Sequence, residues 1–188
     1  MRVTKSQVEL YEVRSGKGSL GWGNITLKCG DQSVEVVATS DYGTFDFYWS
    51  HCGGDPKEFL CKLDFQYAMK KLTSGDLYIP NPDGYENEIK ERIIESRKEG
   101  RLTKEEAKTA WDEMLLILEE YCSGDLFYNA LYNHQLFYKV FGDYDYLPSS
   151  TIPNPRAVDF FNEIWKPFTS YLREEKAGLI KLATEQGK

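Results

Sequence analysis

No apolar run in this chain approaches the roughly 18 residues that a membrane-spanning helix needs, so no membrane contact is expected. Histidine is scarce: His51 and His134 are the whole supply. The four cysteines, Cys29, Cys52, Cys61 and Cys122, show no CxxC spacing. That absence speaks against a paired-ligand zinc site and fits reduced thiols in a cytosolic protein. Glycines are scattered. Gly16-Lys17-Gly18 lacks both the Walker-type and the dinucleotide-type spacing, so no nucleotide site is supported. Met1-Arg2-Val3-Thr4-Lys5 leads into alternating polar and apolar residues rather than a signal-peptide core. No repeat and no low-complexity tract is visible.

Aromatic residues are plentiful, at 14% of 188 residues, and the apolar fraction is 41%. A chain of this length suits one domain, or one domain with a helical extension, and buries enough surface to need no staples. The formal net charge of −7 is uneven. Residues 1–82 carry 9 basic and 10 acidic side chains, and residues 172–188 carry 4 and 3. Residues 83–171 carry 10 basic against 17 acidic. An acidic middle opposes direct nucleic-acid binding, which needs clustered Lys and Arg. It suits docking onto a basic protein surface.

The N-terminal third reads as β. Val8 to Val13 forms a first strand, and Gly16 to Gly21 a turn. Asn24 to Cys29 alternates Ile25, Leu27 and Cys29 against Thr26 and Lys28. Ser33 to Thr39 follows, with Val37 out of phase and a bulge predicted there. Phe45, Phe47 and Trp49 then share one face. These short spacings predict an antiparallel meander of three or four strands. Asp55-Pro56-Lys57-Glu58 opens a helix to about Leu72. Ile79-Pro80-Asn81-Pro82-Asp83-Gly84 is the best candidate internal boundary.

The rest reads as helical. Tyr85, Ile89 and Ile93 recur over 85–99, and Thr103-Lys104-Glu105-Glu106 caps a long helix carrying Trp111 and Met114. Asp125 opens another helix running through His134 to Phe141. Residues 142–155 form a proline-bounded loop. Arg156 to about Glu175 is a last helix, kinked by Pro167, and the final ten residues are polar enough to fray. The expected fold is α+β. Residues 1–78 hold an antiparallel sheet packed on a helix, and residues 83–188 a helical subdomain.

The strand Gly21-Trp22-Gly23, the turn Ser40-Asp41-Tyr42-Gly43, Trp49 and Glu58-Phe59-Leu60 carry a resemblance over residues 20 to 120. Together they resemble a family of small soluble proteins encoded by phages and prophages. The resemblance implies no particular chemistry.

Candidate sites follow. His51, Cys52, Asp55 and Cys61 form a loose zinc set without the tight spacing such sites use. A Cys52–His51 dyad is opposed by geometry, because adjacent strand residues point to opposite faces. His134 reads as a satisfied core histidine. The aromatic strand has Asp46 and no basic residue between its rings, so it reads as core rather than a base-stacking platform. Asp143-Tyr144-Asp145-Tyr146 cannot all be buried, and Tyr is favoured in interface hot spots, so these four are the expected partner-binding residues. No catalytic residue, metal or cofactor is expected. By analogy with phage accessory proteins, the leading expectation is a non-enzymatic, anti-CRISPR-like anti-defence protein in the host cytosol. Its partner would be a host complex with a basic, nucleic-acid-binding surface. The alternatives are a small phage enzyme or nucleic-acid-processing factor near His51, Cys52 and Asp55, and an oligomeric structural or assembly protein.

Overall fold

The structure, a computed structural model, describes residues 1–14 and 21–178. All but Gly21 of the Gly16–Gly21 turn, the Gly16-Lys17-Gly18 segment and the final ten residues therefore lie outside the described residues. The fold is α+β, and the chain forms two compact units. The first contains residues up to Leu77 and the described residues from Pro153 onward. The second is Tyr78–Ile152.

In the first unit, β1 (Glu9–Arg14), β2 (Trp22–Cys29), β3 (Val34–Ser40) and β4 (Gly43–Trp49) form an antiparallel meander in chain order. Period-2 alternation places Ile25, Leu27, Val34, Val36, Ala38, Phe45 and Trp49 on one buried face. The β3 register runs unbroken from Val34↔Trp49 to Ser40↔Gly43, so the bulge expected at Val37 is absent. Val37 lies opposite Asp46 on the outer face.

The motifs that carried the resemblance bond to one another. Asp41 Oδ2, in the turn after β3, accepts from the N–H groups of Gly21 and Trp22 at 2.7 and 3.0 Å. Gly23 must lack a side chain, because a Cβ there would sit 2.6 Å from Ile164 Cγ2.

The helix expected over 56–72 is two helices, α1 (Pro56–Lys62) and α2 (Phe65–Leu72). Leu63 is extended, and the Asp64 carboxylate accepts from Tyr67 N–H at 2.8 Å, so a second cap interrupts the helix. Asp55 caps α1 by accepting from Glu58 N–H at 2.7 Å.

The boundary between the two parts also differs from the expected one. The helical subdomain does not run to the end of the chain. Helix α7 (Pro155–Phe160, numbered in chain order), a π-helical turn (Phe161–Trp165) and α8 (Lys166–Lys176) belong to the sheet unit. Phe160, Phe161, Ile164, Trp165, Phe168 and Leu172 join its core. Phe160 stacks on Phe45 with centroids 4.2 Å apart. The sheet's apolar face is wider than α1 and α2 together can cover, and this aromatic stripe supplies the remainder. The wide turn falls just before Pro167, which has no N–H for the carbonyl four residues back. Lys57 of α1 joins three elements, bonding Glu9 of β1 at 2.6 Å and Glu175 of α8 at 3.0 Å.

In the second unit, β5 (Tyr78–Pro80) pairs with β6 (Thr151–Pro153), where the chain leaves and returns. Between them lie α3 (Pro82–Lys98), α4 (Lys104–Tyr121), α5 (Asp125–Tyr132) and α6 (Phe137–Val140). Tyr85, Ile89, Ile93, Ala110, Met114, Phe127, Leu131 and Phe137 form a separate core. The helix expected from Asp125 to Phe141 is broken at residues 133–136. His134 lies in that break, where Nδ1 accepts the Leu136 N–H at 3.1 Å and holds the turn.

Candidate protein-interaction surface

Residues 142–150 join α6 to β6, and tyrosines fix their course. A 3-10 turn, Tyr144–Tyr146, is capped by Asp143, whose carboxylate accepts the Tyr144 N–H at 2.6 Å. Tyr144 stacks on Tyr132 of α5 with centroids 4.4 Å apart and planes 18° apart. The Tyr132 hydroxyl lies 2.9 Å from that of Tyr138, and buried Phe137 meets Tyr132 edge-on. Tyr146 lies under the Arg92 guanidinium, 4.6 Å from its ring centroid. Downstream, the Tyr128 hydroxyl donates to Pro148 O at 3.0 Å, and Ser149 N–H donates to Glu88 at 2.9 Å. The loop is held at five places before any partner arrives, which lowers the ordering entropy that binding must overcome.

The four residues expected to bind a partner are all exposed: Asp143, Tyr144, Asp145 and Tyr146. Tyr144 and Tyr146 keep about half their surface, at 51% and 52%, and Tyr138 keeps 61%. Three rings thus lie open beside carboxylates. Partial burial and the hydrogen bond to Tyr132 push the Tyr144 phenol up to about 12, while hydrogen bonding with Tyr138 and Tyr144 lowers that of Tyr132. A notch of about 230 Å³ opens between α3 and the turn, lined by Glu88, Glu91, Glu95, Asp145 and Tyr146 around Arg92. Arg92 bonds Glu95 at 3.2 Å, so one cation faces four carboxylates there.

Sequence reading missed Tyr132, Tyr138 and Glu95 as neighbours of this loop. Their signal was weak, because a turn at 133–136 brings Tyr138 back to Tyr132 where an unbroken helix would not. The charge division is sharper than the sequence segments suggested. Residues 78–152 contain 15 acidic and 8 basic side chains, which accounts for the whole formal net charge of −7.

The other candidates are placed differently. His51 is exposed, and Asp55 is engaged as the α1 cap. Burial raises the Cys52 thiol, and it raises Cys61 too, so neither environment favours a thiolate. Among the described residues, no group of three or more His, Cys, Asp or Glu side chains is arranged to hold a metal ion. The His134 side chain is almost wholly buried, with Nε2 2.8 Å from Glu113. Its ring is bonded at both nitrogens, although it sits in a turn rather than on a helix face. Among the described residues, no helix is long and apolar enough to cross a membrane.

No curated protein and no solved structure matches the chain. A family model described as a phage family matches residues 1–174, nearly the entire length. The chain belongs to that phage protein family, Phage_phiTE_072.

Proposed function

We propose that this phage protein is a non-enzymatic binding protein that docks its acidic helical unit onto a basic protein surface in the host cytosol. By analogy with phage accessory proteins, that surface is one with which a host defence effector grips nucleic acid. The protein then acts as an anti-CRISPR-like anti-defence inhibitor that occludes such a surface. The observation carrying this reading is the pair of half-exposed, pre-organised rings, Tyr144 and Tyr146, flanked by Asp143, Asp145 and the carboxylates of the α3 notch. Rigid aromatic anchors beside an excess of negative charge suit a cationic partner, with charge steering encounter and the rings resisting dissociation.

The test is capture of the host complex followed by binding kinetics at two salt concentrations. Asp143→Asn with Asp145→Asn slows association several-fold at low salt and leaves dissociation nearly unchanged. Asparagine still caps the turn at 143, so the fold persists. Tyr144→Ala or Tyr146→Ala speeds dissociation, at a cost of about 2 kcal/mol or more if the ring is a hot spot. Unchanged kinetics in both sets, or a captured complex with an acidic contact surface, would overturn the reading. A site at His51, Cys52 and Asp55 gains no support, because the thiol is raised and the carboxylate is engaged in the cap.

A further inference from the structure

Helices α3 and α4 both pack on the core of the second unit, and one side of the pair carries the exposed residues Asp83, Ile94, Lys98, Lys108 and Glu119. At helical spacing, Asp83, Glu86, Lys90, Ile93, Ile94, Arg97 and Lys98 share a face of α3. On α4, Ala107, Lys108, Trp111, Leu115, Leu118 and Glu119 share another. The two faces form one groove. Lys90 spans it, with its ammonium 5.3 Å from the Trp111 ring centroid.

The groove has two hollows of opposite charge. Beside the α3–α4 turn, a hollow of about 400 Å³ has a floor of Ile93, Ile94, Ala107 and Trp111, and its rim carries Arg97, Lys98 and Lys108 against Asp112 alone. At the far end, a hollow of about 460 Å³ has Leu115 and Leu118 below and Asp83, Glu86 and Glu119 on its rim. Ile94 is 43% exposed. Lys98, Lys108, Asp83 and Glu119 form no ion pair among the described residues.

We propose that this bipolar groove is a homodimer interface, with two copies packing their α3–α4 faces across a two-fold axis near Lys90 and Trp111. A two-fold operation perpendicular to the helices reverses their direction. It therefore lays the basic end of one copy on the acidic end of the other, twice, and buries both Trp111 floors between them. The product is an antiparallel four-helix arrangement, the ordinary way for helical hairpins to cover apolar stripes. A foreign basic partner would be repelled at one end and a foreign acidic partner at the other, whereas a second copy satisfies both.

Helix α4 has 18 residues, so the face is about 27 Å long. Two helices are about 18 Å wide together, giving about 500 Å² per copy. That lies at the small end of specific interfaces, so dissociation is expected in the micromolar range and salt weakens it. This surface is separate from the tyrosine loop, so loss of either leaves the other testable.

Sedimentation equilibrium of the full chain tests the proposal, at concentrations from about 1 to several hundred μM and at two ionic strengths. A monomer–dimer equilibrium that weakens in salt is expected. Lys98→Glu with Lys108→Glu makes both ends acidic, and Asp83→Lys with Glu119→Lys makes both ends basic. Each double variant alone stays monomeric at concentrations where the parent is dimeric, and an equimolar mixture dimerises again. All four positions are exposed, and unchanged circular dichroism shows that the variants fold. A parent that is monomeric throughout, variants that self-associate like the parent, or a mixture that stays monomeric would each sink the proposal.

Discussion

Asp41 shows how much one side chain can organise. Its Oδ2 accepts from the successive N–H groups of Gly21 and Trp22, fixing the turn after β3 to the start of β2. Hydrogen bonds to a charged group contribute about 1.5–3 kcal/mol, so Asp41→Ala is expected to lower the unfolding free energy by about that much. Urea denaturation with an unshifted midpoint would refute this. Trp49 makes a second case. It is 4% exposed and meets Phe59 edge-on at 5.9 Å, so Trp49→Ala is expected to cost about 3–5 kcal/mol. Its indole N–H is buried without a hydrogen-bond partner among the described residues. Trp49→Phe loses no hydrogen bond and should cost far less than Trp49→Ala, as thermal melts of the two variants would reveal. The burial of Trp49 and Phe45 was legible in the period of two. That Phe47 is only half-buried was not, because the sequence does not say that β4 is an edge strand with the Lys71 ammonium 5.1 Å over that ring.

At the scale of elements, caps decide where helices begin. The box at Thr103 and Glu106 is complete, with bonds of 3.1 and 2.9 Å in the two directions. Thr103→Ala should cost about 1 kcal/mol, measured as a lower denaturation midpoint. This cap was readable because its residues stand in the right order before an apolar run. The Asp64 cap was masked, since Leu60, Leu63 and Tyr67 keep helical spacing straight through the break. Only packing reveals why the chain turns there. Helices α1 and α8 are also tied by charge. Lys176 first, then Lys62, holds the Glu58 carboxyl at about 2, against an ordinary value of 4.5. A depressed carboxylate contributes stability above its unfolded value that is lost as pH falls through the folded one. The contribution of the Glu58–Lys176 pair should therefore fade between about pH 4.5 and 2. The side-chain resonance of Glu58, followed by NMR titration, should show its midpoint at the low end of that window. A midpoint near 4.5 would mean the pair does not persist in solution.

The whole molecule is one unit inserted into another. The sheet unit is completed only when the chain returns at Pro153, because Phe160, Ile164, Trp165 and Phe168 form part of its core. A chain ended at residue 152 should therefore lose the cooperative unfolding of the sheet while the helical unit persists. Residues 78–152 begin and end on the paired strands β5 and β6, so they should fold alone, marginally, as expected for a unit of this size. Circular dichroism melts of the two fragments separate these outcomes. A cooperative β-sheet transition in residues 1–152 would contradict the account. The charge division follows the same boundary. The sheet unit carries 15 acidic and 15 basic side chains, which leaves every excess charge on the helical insert.

The sequence by itself determined what depends on near neighbours. The alternation of residues 24–49 made a sheet, the Thr103 box started α4, and composition put the acidity in the middle of the chain. The exposure of Asp143-Tyr144-Asp145-Tyr146 was legible too, because four acidic or amphipathic residues in a loop that runs into Pro148 have no buried arrangement. Tertiary structure alone decided three things. It returned Phe160 to Leu172 to the sheet, since a helical apolar stripe does not specify which core it joins. It stacked Tyr144 on Tyr132, since a turn at His134 controls a contact twelve residues apart. It aligned α3 against α4 so that scattered charges became a groove with a basic end and an acidic end. In each case the deciding interaction joins residues far apart in the chain, and local propensity carries no information about such pairs.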